Sequence, residues 1–168
     1  YMKYNKSSNI IKGNSKIQAG ETNDCSVRAF ATALDVTYDA AHEFVKKTYD
    51  RINRKGCMKM VNTTSKVEGK DLEIEGTEFN IRPLNKYQIT NRYKLRGEVI
   101  ERKKTVKSFL KDFGAGIYLV MVSGHVFTVK DGTMIDNAGE EWRPTRKVED
   151  VFEIKLKNIL EQMELNFG

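Results

Sequence analysis

The chain has little with which to cross-link itself or capture a metal: in 168 residues there are two cysteines, Cys25 and Cys57, and two histidines, His42 and His125. That excludes a disulfide framework of the kind small secreted domains rely on, and a zinc site built from cysteine. Proline is also scarce, at two residues, and no low-complexity tract occurs; with 39% hydrophobic and 31% charged residues the composition is that of a folding chain. No apolar run approaches the roughly 20 residues needed to cross a bilayer, so no membrane span is expected. The polar start, Tyr1 to Lys16, carries no signal-peptide core, and a reducing cytoplasm is the expected compartment. The length suits one domain over residues 1–168, burying roughly two thirds of its unfolded surface, with 1–16 loose.

What the chain has in excess is positive charge, +6 overall, and it is unevenly placed. Between Asn80 and Lys107 stand nine Lys/Arg against two acids, whereas Glu68 to Glu78 holds five acids and one lysine. A basic face in the middle of the chain is compatible with this pattern. Arg82, Lys86, Arg92, Lys94 and Arg96, interleaved with Tyr87 and Tyr93, form a candidate polyanion-binding set, since cations contact phosphates and tyrosines stack on bases. A plain solvated face is the competing reading.

Asn23 and Asp24 are good helix caps, and from Cys25 the residues Val27, Ala29, Phe30, Ala33 and Leu34 fit a short buried helix that breaks at Asp35-Val36. Thr37 caps a second helix whose face is Ala40, Ala41, Phe44, Val45 and Thr48. From residue 51 to 100 the pattern loses its period, which predicts an irregular insertion with short strands, one around Phe79–Arg82. Thr105 caps a helix through Phe113, with Gly114 expected as a left-handed stop. Ile117 to Val122 is an apolar run of strand length, and His125–Lys130, the dipeptide Asp131-Gly132 and Thr133–Asn137 read as a hairpin. Val151–Leu156 is expected as an edge strand and the last dozen residues as a short amphipathic helix. Helices first and sheet second predict an α+β fold, N-terminal helices packed on a C-terminal antiparallel sheet.

The chemistry-bearing residues fall at the ends of these elements. A cysteine attacks as thiolate, and a helix N-terminus favours that anion, so Cys25 is the candidate nucleophile. Asp24 opposes it by like charge and Arg28, one turn on, offsets that. His125, one hundred residues later and directly after Gly124, opens a strand and can act as base. A third group must orient the imidazole. With a two-residue Asp131-Gly132 turn, Phe127 lies opposite Asp136 and Asp136 shares the His125 face; a three-residue loop would instead bring Asn137 there. Turn chemistry favours Asp136, with Asn137 the alternative. Cys57, in unpatterned sequence, reads as a bystander, and His42 as a surface or boundary residue.

Asn23-Asp24-Cys25-Ser26-Val27-Arg28-Ala29, followed by Gly124-His125-Val126 and Val129-Lys130-Asp131-Gly132 through Asp136, resembles the small papain-like cysteine peptidase proteins of bacteriophage and bacterial genomes. The likeness covers about 50 of the 168 residues. It implies a papain-like fold, a Cys25–His125–Asp136 triad, and a cysteine-dependent hydrolase acting by acyl transfer without cofactor or metal. Peptide or isopeptide hydrolysis is the expected outcome, with a protein or peptide substrate from host or phage. Related enzymes place an oxyanion-stabilising glutamine six residues before the cysteine, where this chain has Ala19; Gln18 and Asn23 are the candidates instead, with the Cys25 backbone N–H as second donor. The alternative expectation is an inactive scaffold that binds nucleic acid or a host protein.

Overall fold

The computed structural model describes residues 3–13, 15–137 and 144–157. Its strands are β1 (Lys3–Lys6), β2 (Leu72–Ile74), β3 (Thr77–Pro83), β4 (Thr90–Leu95), β5 (Glu98–Lys103), β6 (Ile117–Val122), β7 (His125–Lys130), β8 (Thr133–Asp136) and β9 (Asp150–Leu156). Its helices are α1 (Lys16–Ala19), α2 (Cys25–Leu34), α3 (Tyr38–Tyr49), α4 (Met60–Val67) and α5 (Val106–Asp112). The fold is mixed α+β. Seven strands form one sheet in the order β1-β8-β7-β6-β9-β3-β2, and β4 and β5 form a separate ribbon. Every pairing in the large sheet is antiparallel except β1 with β8.

Both faces of the sheet are covered, which explains why β6 is apolar without alternation. Leu119 packs with Val27, Phe30, Val45 and Tyr49 of the α2–α3 layer, while Tyr118, Val120 and Val122 pack with Val106, Phe109 and Leu110 of α5. The α2 helix ends where Asp35 takes a left-handed conformation, and Thr37 caps α3 by accepting from the Ala40 N–H. Thr105 does the same for α5 through the Ser108 N–H.

The tight turn of the β7–β8 hairpin sets the register on which the site depends. Lys130 pairs with Thr133, and Asp131 and Gly132 both have positive φ, +49° and +80°, as a type I′ turn requires. The pairing Thr128 to Ile135 then carries on to put Phe127 opposite Asp136.

Several expectations need correction. Residues 51–100 hold regular elements: α4, β2 and β3 join the helical layer and the large sheet, because the 3.6 and 2 periods there are too short to register in a sequence window. Asp150–Leu156 is an inner strand between β6 and β3, its Val151, Phe152 and Ile154 buried. The N-terminal segment contains β1 and a 3-10 turn at Ser7–Asn9, held by backbone pairing with β8 that polar side chains do not advertise. Gly114 is not left-handed; α5 ends at Phe113 with φ −121°. The expected C-terminal helix lies outside the described residues. Among those residues no helix is long and apolar enough to cross a membrane.

Candidate active site

Cys25 is the first residue of α2, half-buried, where the helix leaves its leading N–H groups without partners inside the helix. His125 is the first residue of β7, reached through the two-residue turn Ser123-Gly124 from Val122. Gly124 has φ +71°, the left-handed second turn position that glycine fills without strain. A Cβ there would meet no atom within 4 Å, so the glycine is demanded by the turn and not by close packing.

The three expected residues come together. His125 Nε2 lies 2.7 Å from Asp136 Oδ1, which leaves Nδ1 free of that bond, and His125 and Cys25 line the same cleft near enough to shift each other's titration. The same Asp136 oxygen accepts from the Asn137 backbone N–H at 2.6 Å, and the Asp136 carbonyl accepts from the Tyr4 hydroxyl at 3.2 Å. Asp136 is buried, so its one short bond to imidazole is made away from competing water. Asn137 is exposed and lines the cleft beside it, and Asp136 is the residue that holds the imidazole.

Burial pushes the Cys25 thiol up, but the His125 hydrogen bond, the Val126 backbone N–H, the His125 charge and the Ser26 N–H outweigh it, and the thiol lies below its ordinary value. Burial pushes His125 down, and its bonds to Asp136 and Cys25, with their charges, carry it up to about 9. Both shifts run in the direction of a thiolate beside an imidazolium. In Cys57 burial dominates and the thiol is raised.

The feared repulsion from Asp24 is answered locally. Its Oδ2 accepts from Arg28 Nε at 3.1 Å and from the Tyr38 hydroxyl at 2.7 Å, so the carboxylate is paired and turned into the α2–α3 packing. For the same reason Asp24 makes no side-chain cap to α2, contrary to the expectation for this residue type.

Above Cys25 and His125 opens a cleft of about 290 Å³, lined also by Asn23, Arg28, Gly56, Gly124 and Asn137. Asn23 sits in it with a left-handed backbone, φ +52°, and its side-chain amide donates to the Arg54 carbonyl at 3.1 Å. Gln18, in α1, does not line the cleft; with its amide oxygen toward Arg28 it accepts from both terminal guanidinium nitrogens at 3.3 Å. Of the two oxyanion candidates, Asn23 is the one at the cleft. A larger hollow of about 630 Å³ lies at the opposite end of β7, between α5 and the Asp131-Gly132 turn. Among the residues lining it there is neither cysteine nor histidine.

Residues with no signal in the sequence hold the loop before Cys25. Glu21 takes Arg51 Nη1 at 2.8 Å, His42 Nε2 at 2.6 Å and the Arg54 backbone N–H at 2.6 Å, while Arg51 Nη2 donates to the Thr22 carbonyl at 3.1 Å. The Glu21 and Arg51 side chains are only 3% and 1% exposed. His42 is therefore buried and partnered, not a boundary residue. No local pattern signals this clamp, because its members are 21 and 30 positions apart.

The polyanion set divides. Arg82 is on β3, paired with Glu153 at 2.8 Å. Lys86 precedes the ribbon, Arg92 and Lys94 lie on β4, and Arg96 sits at the ribbon's turn. Among the described residues no cluster of three or more His, Cys, Asp or Glu could hold a metal ion. A scan against protein-family models, a search of curated proteins and a search of solved structures each found no match to this chain.

Proposed function

We propose that the protein is a papain-like, cysteine-dependent hydrolase that acts by acyl transfer on an amide of a protein or peptide. The observation that carries this reading is the juxtaposition of Cys25 and His125 at one open cleft, with the buried Asp136 bonded to the imidazole behind them at 2.7 Å. Thiolate nucleophile, imidazolium acid and buried orienting carboxylate are the three roles that thiol acyl transfer needs.

The Cys25 thiolate attacks the carbonyl carbon, and the electron pair of the C=O bond moves to oxygen. The oxyanion is met by the Cys25 backbone N–H and the Asn23 amide, one of whose two hydrogens is left over from Arg54. The proton already on His125 goes to the leaving amine as the C–N bond breaks, so the imidazole serves first as acid. Neutral His125 then takes a proton from water, which attacks the thioester and releases Cys25. An amine in place of that water would give transamidation, and a glutamine side chain in place of the peptide bond would give deamidation, by the same groups. Peptide or isopeptide hydrolysis in a reducing cytoplasm, on a host or phage protein, is the outcome we favour. No cofactor or metal enters this scheme.

The test is capture of the acyl-enzyme. Incubation with a pool of peptide amides followed by intact-mass measurement should give a thioester adduct on Cys25, absent from Cys25→Ala and retained in Cys57→Ala. Undiminished turnover by Cys25→Ala would remove the mechanism.

A further inference from the structure

The ribbon of β4 and β5 takes no part in the chemistry above and belongs to neither layer of the fold, yet it holds the chain's charge. The surplus of cations between Asn80 and Lys107 is seven, against six for the entire chain, so the remainder is balanced within one charge. Three ion pairs to acids outside the segment neutralise part of it, Arg82 with Glu153 at 2.8 Å, Lys103 with Glu149 and Lys104 with Asp112, while Arg92 pairs within it with Glu101 at 3.1 Å. Lys86, Lys94, Arg96 and Arg102 make no ion pair among the described residues. Every residue of β4 and β5 is exposed except Thr90 and Ile100, which are half-buried.

We infer that this ribbon is a nucleic-acid-binding arm that engages the phosphodiester backbone of a duplex. Three observations favour a nucleic acid over an acidic protein surface. The register places Arg92 and Lys94 on one face, Arg102 on the other and Arg96 at the tip, so cations point both ways from the ribbon. A protein surface covers one face, whereas a two-stranded ribbon in a groove about 12 Å wide has a row of phosphates on each side. The Arg92 guanidinium lies 3.7 Å from the Tyr87 ring centroid and Arg102 5.8 Å from that of Tyr93, giving flat, cationic platforms of the type on which bases and sugars stack. Tyr87 and Val99 are 68% and 67% exposed, and Tyr93 and Leu95 are exposed beside them. A segment present only to keep the molecule soluble would not carry four exposed apolar side chains.

The arm leaves the sheet at the end where His125 stands. Leu84 follows β3 and donates to the Val151 carbonyl, and Asp150, next to Val151, pairs with Met121 near the β6–β7 turn. Nucleic acid held there approaches the end of the sheet at which His125 stands.

Binding of the full chain to labelled duplex DNA, duplex RNA and a single strand is measured by fluorescence anisotropy over a salt series. The wild-type protein should bind a duplex, with log K falling against log salt by about 0.9 for each cation engaged. The triple variant Lys94→Gln/Arg96→Gln/Arg102→Gln should bind at least about tenfold more weakly at low salt and lose about three units of that slope. A control with the same charge change elsewhere, Lys46→Gln/Lys66→Gln/Lys70→Gln, should keep the wild-type slope, and Cys25→Ala should bind as wild type, which separates this inference from the hydrolase reading. The duplex bound more tightly identifies the source as DNA or RNA. Failure of the wild type to bind any duplex at low salt, equal loss in the control, or displacement by polyglutamate at equal charge concentration would each overturn it.

Discussion

Thr128 on β7 donates its hydroxyl hydrogen to the Ala29 carbonyl of α2 at 2.7 Å, across 99 positions of sequence, and accepts from Thr32 at 2.9 Å. All three are buried, so the bond docks the cysteine-bearing helix on the histidine-bearing strand at one height and one angle. That docking is what lets a sulfur at the tip of α2 meet an imidazole at the start of β7. Thr128→Val keeps the shape but removes both hydrogen bonds across the helix–strand seam, leaving the Thr32 hydroxyl its Arg28 and Ala29 carbonyl acceptors at 2.8 and 3.1 Å. It should cost about 0.5–1.5 kcal/mol, read as a lower urea midpoint at unchanged m value, and should slow alkylation of Cys25.

The Glu21–Arg51 clamp should be acid-labile. Glu21 is held down to about 2 from 4.5, chiefly by its bonds to Arg51 against the opposing effect of burial. A lowered carboxyl contributes stability that is complete above its unfolded value and lost as pH falls through its folded one. Its contribution, about 3 kcal/mol by linkage, should therefore be present above pH 4.5 and decay toward pH 2. The urea midpoints of wild type and Glu21→Gln should differ at neutral pH and converge over that window. Arg51→Ala, which takes the guanidinium from the buried carboxylate and leaves it only His42 Nε2 and the Arg54 N–H, should cost up to about 3–5 kcal/mol.

Asp136 should set the alkaline limit of the proposed activity. Its hydrogen bond is the largest of the contributions that raise His125 to about 9 against burial, and its charge adds to it. A raised histidine keeps its proton at neutral pH and loses it as pH rises through that value, so turnover should fall above about pH 9 in the wild type. In Asp136→Ala the imidazole falls toward its ordinary 6.5, and the alkaline limb of the kcat/KM profile should move down in pH. Asn137→Ala should leave that limb in place.

Gly124→Ala should disturb the site through the backbone alone. At φ +71°, with open space around the added carbon, alanine meets strain and no clash. The expected loss is about 1 kcal/mol, accompanied by a slower reaction at Cys25, because the residue that follows is His125.

The placement of Cys25, His125 and Asp136 was readable because short-range rules set it. Asp131-Gly132 dictates a two-residue turn, the turn dictates the register, and the register puts Asp136 on the His125 side of its strand. A cysteine after Asn-Asp at the head of an apolar stretch announced the start of α2 in the same way. Illegible were the features that depend on distant partners. Asp24 reads as a cap until Arg28 and Tyr38 are seen to claim its carboxylate. His42 reads as peripheral until Glu21 is brought against it. β1 is made of Lys3, Tyr4, Asn5 and Lys6, which carry no hydrophobic period, and is a strand because β8 offers it an edge. The strand order that moves Asp150–Leu156 inward is likewise a tertiary choice, since β3 arrives from the middle of the chain to cover it.

The most direct measurement is the pH profile of alkylation at each cysteine by iodoacetamide, resolved by peptide mass. A preformed thiolate–imidazolium pair predicts that Cys25 reacts selectively well below pH 8.5, the ordinary thiol range, and loses that advantage in His125→Ala, while Cys57 reacts only at high pH. Equal, sluggish labelling of both cysteines along an ordinary thiol curve, unaffected by His125→Ala, would contradict the account.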